Sequence, residues 1–199
     1  MKNLIVTLLL TGMSIILYSQ TEIAATPTDI APLLIGEKIP DISLSDVTGK
    51  SVKILDLAAQ KPSVVIFYRG GWCPYCNVHL AQLQQIEADI IKAGYQILAI
   101  SPDSPENLAA TISKNDLKYT LLSDHQSVAI KGFGLAFRAP NNYEAMLQKA
   151  SGGSNLNVLP VPAVFIINQQ GNVIFEYINP DYKSRLKGSL LLAVLNELK

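Results

Sequence analysis

Ser63-Val64-Val65-Ile66-Phe67-Tyr68-Arg69-Gly70-Gly71-Trp72-Cys73-Pro74-Tyr75-Cys76 carries an apolar run straight into the chain's only two cysteines. Residues 63–68 have the length and β-branched content of a buried strand. Pro74 suits the first position of a helix. Leu80, Leu83, Ile86 and Ile90 continue at helical spacing, and Gly94 stands where a glycine ends a helix. The cysteines therefore fall at a strand-to-helix joint, and a Cys-x-x-Cys there reads as a redox dithiol. Unpaired N–H groups and the positive end of the helix dipole favour a thiolate at that place. They bring a thiol pKa from about 8.5 into a range of ~3.5–7.5. The second thiol, one turn on, can then close a disulfide.

Working outward, 199 residues with 49% hydrophobic and 16% charged side chains suit one globular domain. A formal net charge of zero and the lack of any basic run leave no footprint for nucleic acid or for an anionic membrane surface. The N-terminus departs from this. Lys2 precedes an apolar stretch over residues 4–18, short for a spanning helix, which reads as a secretory signal within residues 1–20. The cleavage point is open up to about residue 25, and an uncleaved anchor is the second reading. Residues 21–32 are polar and turn-rich and read as a linker, so the domain is expected over 33–199. Export would place the chain in a periplasm or equivalent envelope space. Paired cysteines there are commonly structural staples. A four-residue loop removes little chain entropy, however, which makes this pair a poor staple.

Around the dithiol, residues 42–45 and 51–54 flank a turn at 46–50 and predict a hairpin. Strands are predicted at 95–100 and 119–122, and a helix at 106–113 after Ser104 as N-cap and Pro105. A weak helical turn is expected at 128–133. The polar stretch 139–157, with a helix near 143–150, reads as an insertion. Residues 163–167 and 172–177 bracket a second hairpin, and 182–198 a closing helix. Strands alternating with helices predict an α/β fold: a central mixed sheet with helices on both faces. The dithiol would lie at the C-terminal end of a central strand.

Cys73, at the helix entry, is expected to be the more exposed sulfur and the attacking thiolate in disulfide exchange. Cys76 would resolve it. Arg69 and Lys61 are the nearest cations in sequence, and Arg69 either favours the thiolate or is a solvated surface arginine. Trp72 and Tyr75 border the thiols, as an apolar rim for a partner or as a cap on the core. His79 reads as a helix-surface residue. A structural zinc would want four ligands, and only the distant His125 remains beside Cys73, Cys76 and His79. Asn77 stands where a c-type haem would require histidine. No metal or cofactor is expected. Pro162, just before a strand, marks either a cis bond or a plain turn.

The segment 67–76, with Val161-Pro162-Ala163-Val164-Phe165-Ile166-Ile167 and Asn168-Gln169-Gln170-Gly171 later, resembles a thioredoxin-fold protein. More closely, residues 33–199 resemble the peroxiredoxin-like branch of the alkyl hydroperoxide reductase and thiol-specific antioxidant family. Gly36-Glu37-Lys38-Ile39-Pro40-Asp41 and Ile100-Ser101-Pro102-Asp103-Ser104 fit that branch. The resemblance implies a thioredoxin-like fold with an N-terminal hairpin extension, and it equates Pro162 with the cis-proline facing the dithiol. Placed here, the Pro-x-x-x-Thr/Ser-x-x-Cys motif of peroxiredoxins puts the peroxidatic cysteine on Cys76, the threonine on Cys73 and the proline on Arg69. The family's later arginine falls on Pro162, and Arg138 is the candidate substitute. The chain thus combines a peroxiredoxin-like frame with a thioredoxin-type dithiol.

The expected function is that of an exported thiol oxidoreductase using a Cys73/Cys76 couple. One reaction is hydroperoxide reduction with regeneration by a thioredoxin-like donor protein, an antioxidant activity. The alternative is exchange with protein disulfides, with Cys73 as nucleophile. A redox sensor or binding module with little turnover is the reading from another class. No nucleic acid or membrane partner is expected beyond the N-terminal signal.

Overall fold

A computed structural model describes residues 23–198. Its centre is the strand that opened the sequence reading, Ser63–Phe67, here β3 after β1 (Ser43–Ser45), β2 (Ser51–Lys53) and α1 (Ile54–Gln60). All five of its residues are buried. Successive side chains point to opposite faces, so Val65 and Phe67 enter one core while Val64 and Ile66 enter the other. A strand covered on both faces has no polar side, hence the unbroken apolar run.

The chain continues through α2 (Pro74–Lys92), β4 (Gln96–Ser101), α3 (Pro105–Asn115), β5 (Thr120–Ser123) and α4 (Val128–Gly132). After β6 (Ala136–Arg138) come α5 (Glu144–Ala150), β7 (Val158–Pro160), β8 (Ala163–Ile167), β9 (Val173–Ile178) and α6 (Gly188–Glu197). Seven strands form one mixed sheet in the order β2-β1-β5-β4-β3-β8-β9. β3 runs parallel to β4 and antiparallel to β8, in register from Ser63 opposite Ile167 to Phe67 opposite Ala163. One face packs on α2, α3 and α6 through Leu80, Leu83, Leu108, Leu191 and Leu195. The other packs on α1 and α4 through Ile54, Ala129, Ile130 and Phe133. There Phe67, Phe133 and Phe165 stack ring against ring at 4.8–6.1 Å. The mixed sheet between helix layers is the expected fold class.

Both predicted hairpins form. In the first, Asp46 accepts hydrogen bonds from the backbone N–H groups of Thr48 and Lys50, which closes the turn. The 139–157 insertion is bounded by β6 and β7, which pair as a separate two-stranded ribbon. Sequence reading missed that ribbon, as well as α1. Each strand of the ribbon has only three residues, too few for a periodic signal.

Residues 23–32, read as a linker, lie against the domain instead. Ala24 pairs with Phe137 in a β-bridge, donating to the Ala136 carbonyl and accepting from the Arg138 N–H. Ile23 and Ile30 pack on the Phe133 core. Backbone pairing needs no particular side chain, so composition alone reads such a segment as a tether. The expected signal at 1–20 lies outside the described residues. No helix among the described residues is long and apolar enough to cross a membrane.

Candidate active site

The end of β3 aims residues 68–76 at the C-terminal edge of the sheet, between β4 and β8. Tyr68 still pairs with β4, its N–H donating to the Ile100 carbonyl at 3.0 Å. The chain then turns through Gly70 and Gly71 into Cys73, the N-cap of α2. Both glycines are required. A Cβ on Gly70, whose φ is +142°, would meet Trp72 Nε1 at 2.3 Å, and one on Gly71 would meet Thr111 Oγ1 at 1.9 Å. The turn is pinned from β4, because Asp103 Oδ2 accepts from the Gly71 N–H at 2.7 Å and from Ser101 Oγ at 3.1 Å. Asn77 fastens it from the helix side, donating to the Gly71 and Cys73 carbonyls.

Cys73 and Cys76 are both reduced and both buried, with 1% and 0% of their surfaces exposed. The expected difference in exposure between the two sulfurs is thus almost absent. Position at the helix entry sets which N–H groups a side chain meets, but Cys73 belongs to the same buried cluster as Leu80 and Leu108. The two thiols titrate in opposite directions. Cys76, one turn into the helix, favours the charged form of Cys73 most, and Arg69 and Arg185 add positive charge. Together they outweigh burial and hold Cys73 down at about 6. Cys73, followed by burial, pushes Cys76 well above the ordinary thiol range. The couple thus favours the thiolate on Cys73 and the proton on Cys76.

Arg69 is not a solvated arginine. It is buried, and its guanidinium lies over three ring faces: Tyr182 at 4.2 Å, Tyr143 at 4.9 Å and Trp72 at 5.1 Å. Ring quadrupoles hold a desolvated cation worth ~2 kcal/mol or more, and this cage keeps the charge beside the thiols. Trp72 thus serves a structural role in the site and packs on Tyr143 of the insertion at 5.8 Å. Lys61 lies before β3, at the opposite end of the strand from the cysteines. Pro162 is brought to the site. It lines a largely apolar pocket of about 210 Å³ with Arg69, Tyr143 and Tyr182. Its peptide bond is trans, which corrects the cis-proline expectation. Arg138 is exposed on β6.

Two site residues escaped the sequence reading. Arg185 Nη2 lies 3.6 Å from Cys76 Sγ, while Nη1 donates to the Tyr182 and Ser184 carbonyls. The predicted closing helix over 182–198 ran through Arg185 without singling it out. In fact α6 starts only at Gly188, because Asn179 and Asp181 bond the N–H groups two residues on and hold 179–184 in turns. Asn-Pro-Asp at 179–181 was the available signal. His79, expected on the helix surface, is buried and faces Arg185, and burial with that charge lowers its pKa to about 4. Cys76, His79, Leu80 and Leu83 share one helical face at i, i+3, i+4 and i+7, so the periodicity already placed it inward.

The arrangement can store a thiolate, supply a proton one helical turn away and close a disulfide. Comparison with known proteins agrees with the frame. Residues 35–176 match the model of the AhpC/TSA family. The chain belongs to that family. Peroxiredoxin Bcp of Escherichia coli K12 is 36% identical over 104 residues, spanning 52% of this chain and 66% of that protein. A putative peroxiredoxin of Mycobacterium tuberculosis is 25% identical over 144 residues, spanning 72% of this chain and 84% of that one. Among solved structures, reduced Prx3 of Vibrio vulnificus in complex with H2O2 superposes with a TM-score of 0.69. It is 20% identical and covers 82% of this chain and 99% of its own. Bacterioferritin comigratory protein of Xanthomonas campestris gives 0.64 at 20% identity, covering 84% and 99%. At such identities these structures speak for the thioredoxin-like peroxiredoxin fold.

Proposed function

We propose that the protein is a thiol-dependent peroxidase in which Cys73 is the nucleophile and Cys76 the resolving residue. The observation that carries this reading is the placement of Cys73 at the N-cap of α2, one turn from Cys76 and beside the buried Arg69, which favours a thiolate on Cys73. The Cys73 thiolate attacks one oxygen of a hydroperoxide, the O–O bond breaks, and the leaving alkoxide takes a proton. Cys73 becomes a sulfenic acid. The Cys76 sulfur then displaces hydroxide from it, releasing water and leaving the Cys73–Cys76 disulfide. A thioredoxin-like donor protein restores the dithiol by thiol–disulfide exchange.

Disulfide exchange with other proteins is the second reading, favoured by the Cys-x-x-Cys spacing and by Pro162 bordering the site. Burial of both sulfurs weighs against it. A small peroxide reaches a thiolate that is 1% exposed more readily than a protein disulfide does. Export through residues 1–20 completes the proposal, supported by Lys2 and the apolar stretch 4–18. Cell fractionation of a tagged chain checks it, since recovery from the cytoplasm at full length would contradict export.

Trp72, the only tryptophan, reports the chemistry by stopped-flow fluorescence. Mixing reduced protein with hydrogen peroxide, an alkyl hydroperoxide or a model protein disulfide should give fast oxidation by peroxide alone. Cys73→Ser should abolish the reaction, and Cys76→Ser should leave a trappable sulfenic acid on Cys73. A sulfenic acid trapped on Cys76 in Cys73→Ser at the wild-type rate would reverse the assignment. Fast oxidation by the disulfide but not by peroxide would replace the reaction itself.

A further inference from the structure

Closing the couple asks more of Cys76 than of Cys73. Cys76 is 0% exposed, so solvent does not stabilise a negative charge there, and an unpaired buried charge is costly. Cys73 and burial together push its thiol well above the ordinary range. Yet Cys76 has to carry negative charge twice in each cycle. It attacks the sulfenic acid as a nucleophile, and it leaves as a thiolate when a donor opens the disulfide.

One cation is placed for that task. Arg185 Nη2 lies 3.6 Å from Cys76 Sγ, within hydrogen-bond reach of a sulfur. Nη1 of the same guanidinium donates to the Tyr182 and Ser184 carbonyls, which fixes the plane of the group. No carboxylate neutralises it in an ion pair, since those among the described residues join Lys53 with Asp41 and Lys118 with Asp116. The gap between Arg185, His79 and Pro162 is too narrow to admit water. Arg69, the other cation nearby, spreads its guanidinium over three rings instead.

We propose that Arg185 is the catalytic residue of the resolving cysteine, its guanidinium stabilising the charge on Cys76 both in disulfide closure and in disulfide opening. Closure rests on the peroxidase reading; opening requires only the couple. In closure, Cys76 gives up its proton, its sulfur bonds to the Cys73 sulfur, and the departing hydroxide leaves with that proton as water. In opening, a thiolate of the donor dithiol bonds to the Cys73 sulfur, and the Cys73–Cys76 bond breaks with its electron pair on Cys76. Once Cys73 is a neutral sulfenic acid its like charge is gone, and Arg185 is the largest influence opposing burial.

Ultraviolet thiolate absorbance of the Cys73→Ser chain reads Cys76 alone, with Cys73→Ser/Cys76→Ser as blank. The groups around Cys76 are constant where a thiol titrates. Arg69 and Arg185 stay charged. Burial pushes Tyr68 well above the ordinary tyrosine value and brings His79 down to about 4. The Lys183 N–H holds Asp181, exposed in the same turn as Arg185, below the usual carboxylate range. Adding Arg185→Met should raise the Cys76 midpoint by about one pH unit or more. Arg185→Lys, which keeps the charge and loses the planar fork, should raise it by less. With both cysteines present, Arg185→Met should slow dithiothreitol reduction of the diamide-formed disulfide roughly threefold or more. The Cys73 sulfenic acid formed by peroxide should outlive that of the wild type by roughly the same factor. Arg185→Lys should recover part of both rates, and Arg185→Gln is run beside Arg185→Met so that one misfolded variant leaves the other to decide. A Cys76 midpoint unmoved by loss of the guanidinium overturns the proposal. So does a lysine variant that recovers nothing, the mark of a merely structural arginine. If the wild type forms no sulfenic acid with peroxide, the peroxidase reading falls, while the midpoint and the reduction rate still decide the role of Arg185.

Discussion

Each cysteine at the α2 entry is the largest influence on the other's titration, Cys76 lowering Cys73 and Cys73 raising Cys76. Cys76→Ala removes that influence on Cys73. The pH midpoint of Cys73 alkylation, followed by mass spectrometry, should then move from about 6 upward toward the ordinary thiol range. Arg69→Met should move it the same way by less, since the guanidinium is a smaller influence on Cys73 than Cys76 is. A midpoint that stays put in both variants would refute this account. His79 gives a stability prediction of definite sign. Its pKa is depressed to about 4, so between its ordinary value and that point the unfolded chain binds the extra proton. The stabilisation from neutral His79 is complete above about pH 6.5 and is lost as pH falls toward 4. Asp103 and Asp124, both raised to about 6, act oppositely in an overlapping window, their folded forms holding protons the unfolded chain releases. His79→Leu should therefore make stability fall more steeply between pH 4 and 6 than in the wild type. Urea denaturation at pH 7 and pH 5 reads the difference, and equal slopes for the two proteins would count against it.

At the scale of elements, caps and turns decide what periodicity leaves open. α4 has only five residues, and Ser127 before it makes no capping bond. Asp124 performs that task from further back, accepting from the N–H groups of Val128, Ala129 and Ile130 at 2.7–3.1 Å. Asp124→Ala strands three donors at a buried helix entry and should cost about 2 kcal/mol in chemical denaturation. A cost below about 0.5 kcal/mol would mean the helix is held by packing alone. The segment before α6 shows the same physics in reverse. Asn179 and Asp181 satisfy local N–H groups in a turn, so the helix starts late and Arg185 is freed to meet Cys76. Helical spacing over 182–198 carried no trace of that delay.

The whole molecule is a mixed sheet between two cores, and the Phe67, Phe133 and Phe165 cluster ties the site-bearing strand to the α4 face. Phe133 is 0% exposed. Phe133→Ala should lower stability by about 3–5 kcal/mol through lost transfer energy and a residual cavity. The urea midpoint measures it, and a loss under about 1 kcal/mol would show that the core collapses around the gap. The dithiol lies on the other face of the sheet and should keep its low Cys73 midpoint in that variant wherever it remains folded.

Local chemistry made much of this legible in advance. The buried strand, the glycine turn, Pro74 and the cysteine spacing each act over a few residues, so they stated the dithiol, its helix and the mixed sheet without further help. Ser104 as N-cap is of the same kind, its hydroxyl accepting from the Asn107 N–H. Packing between segments distant in sequence was beyond that reach. It buried both sulfurs, turned Arg69 into a caged cation and seated residues 23–32 on the domain. It also carried Arg185 across 109 positions to Cys76. The sequence by itself determined where the two thiols stand and on what frame. Only the tertiary structure decided their protonation, because a thiol's pKa answers to charges and donors within a few ångströms, whichever part of the chain supplies them.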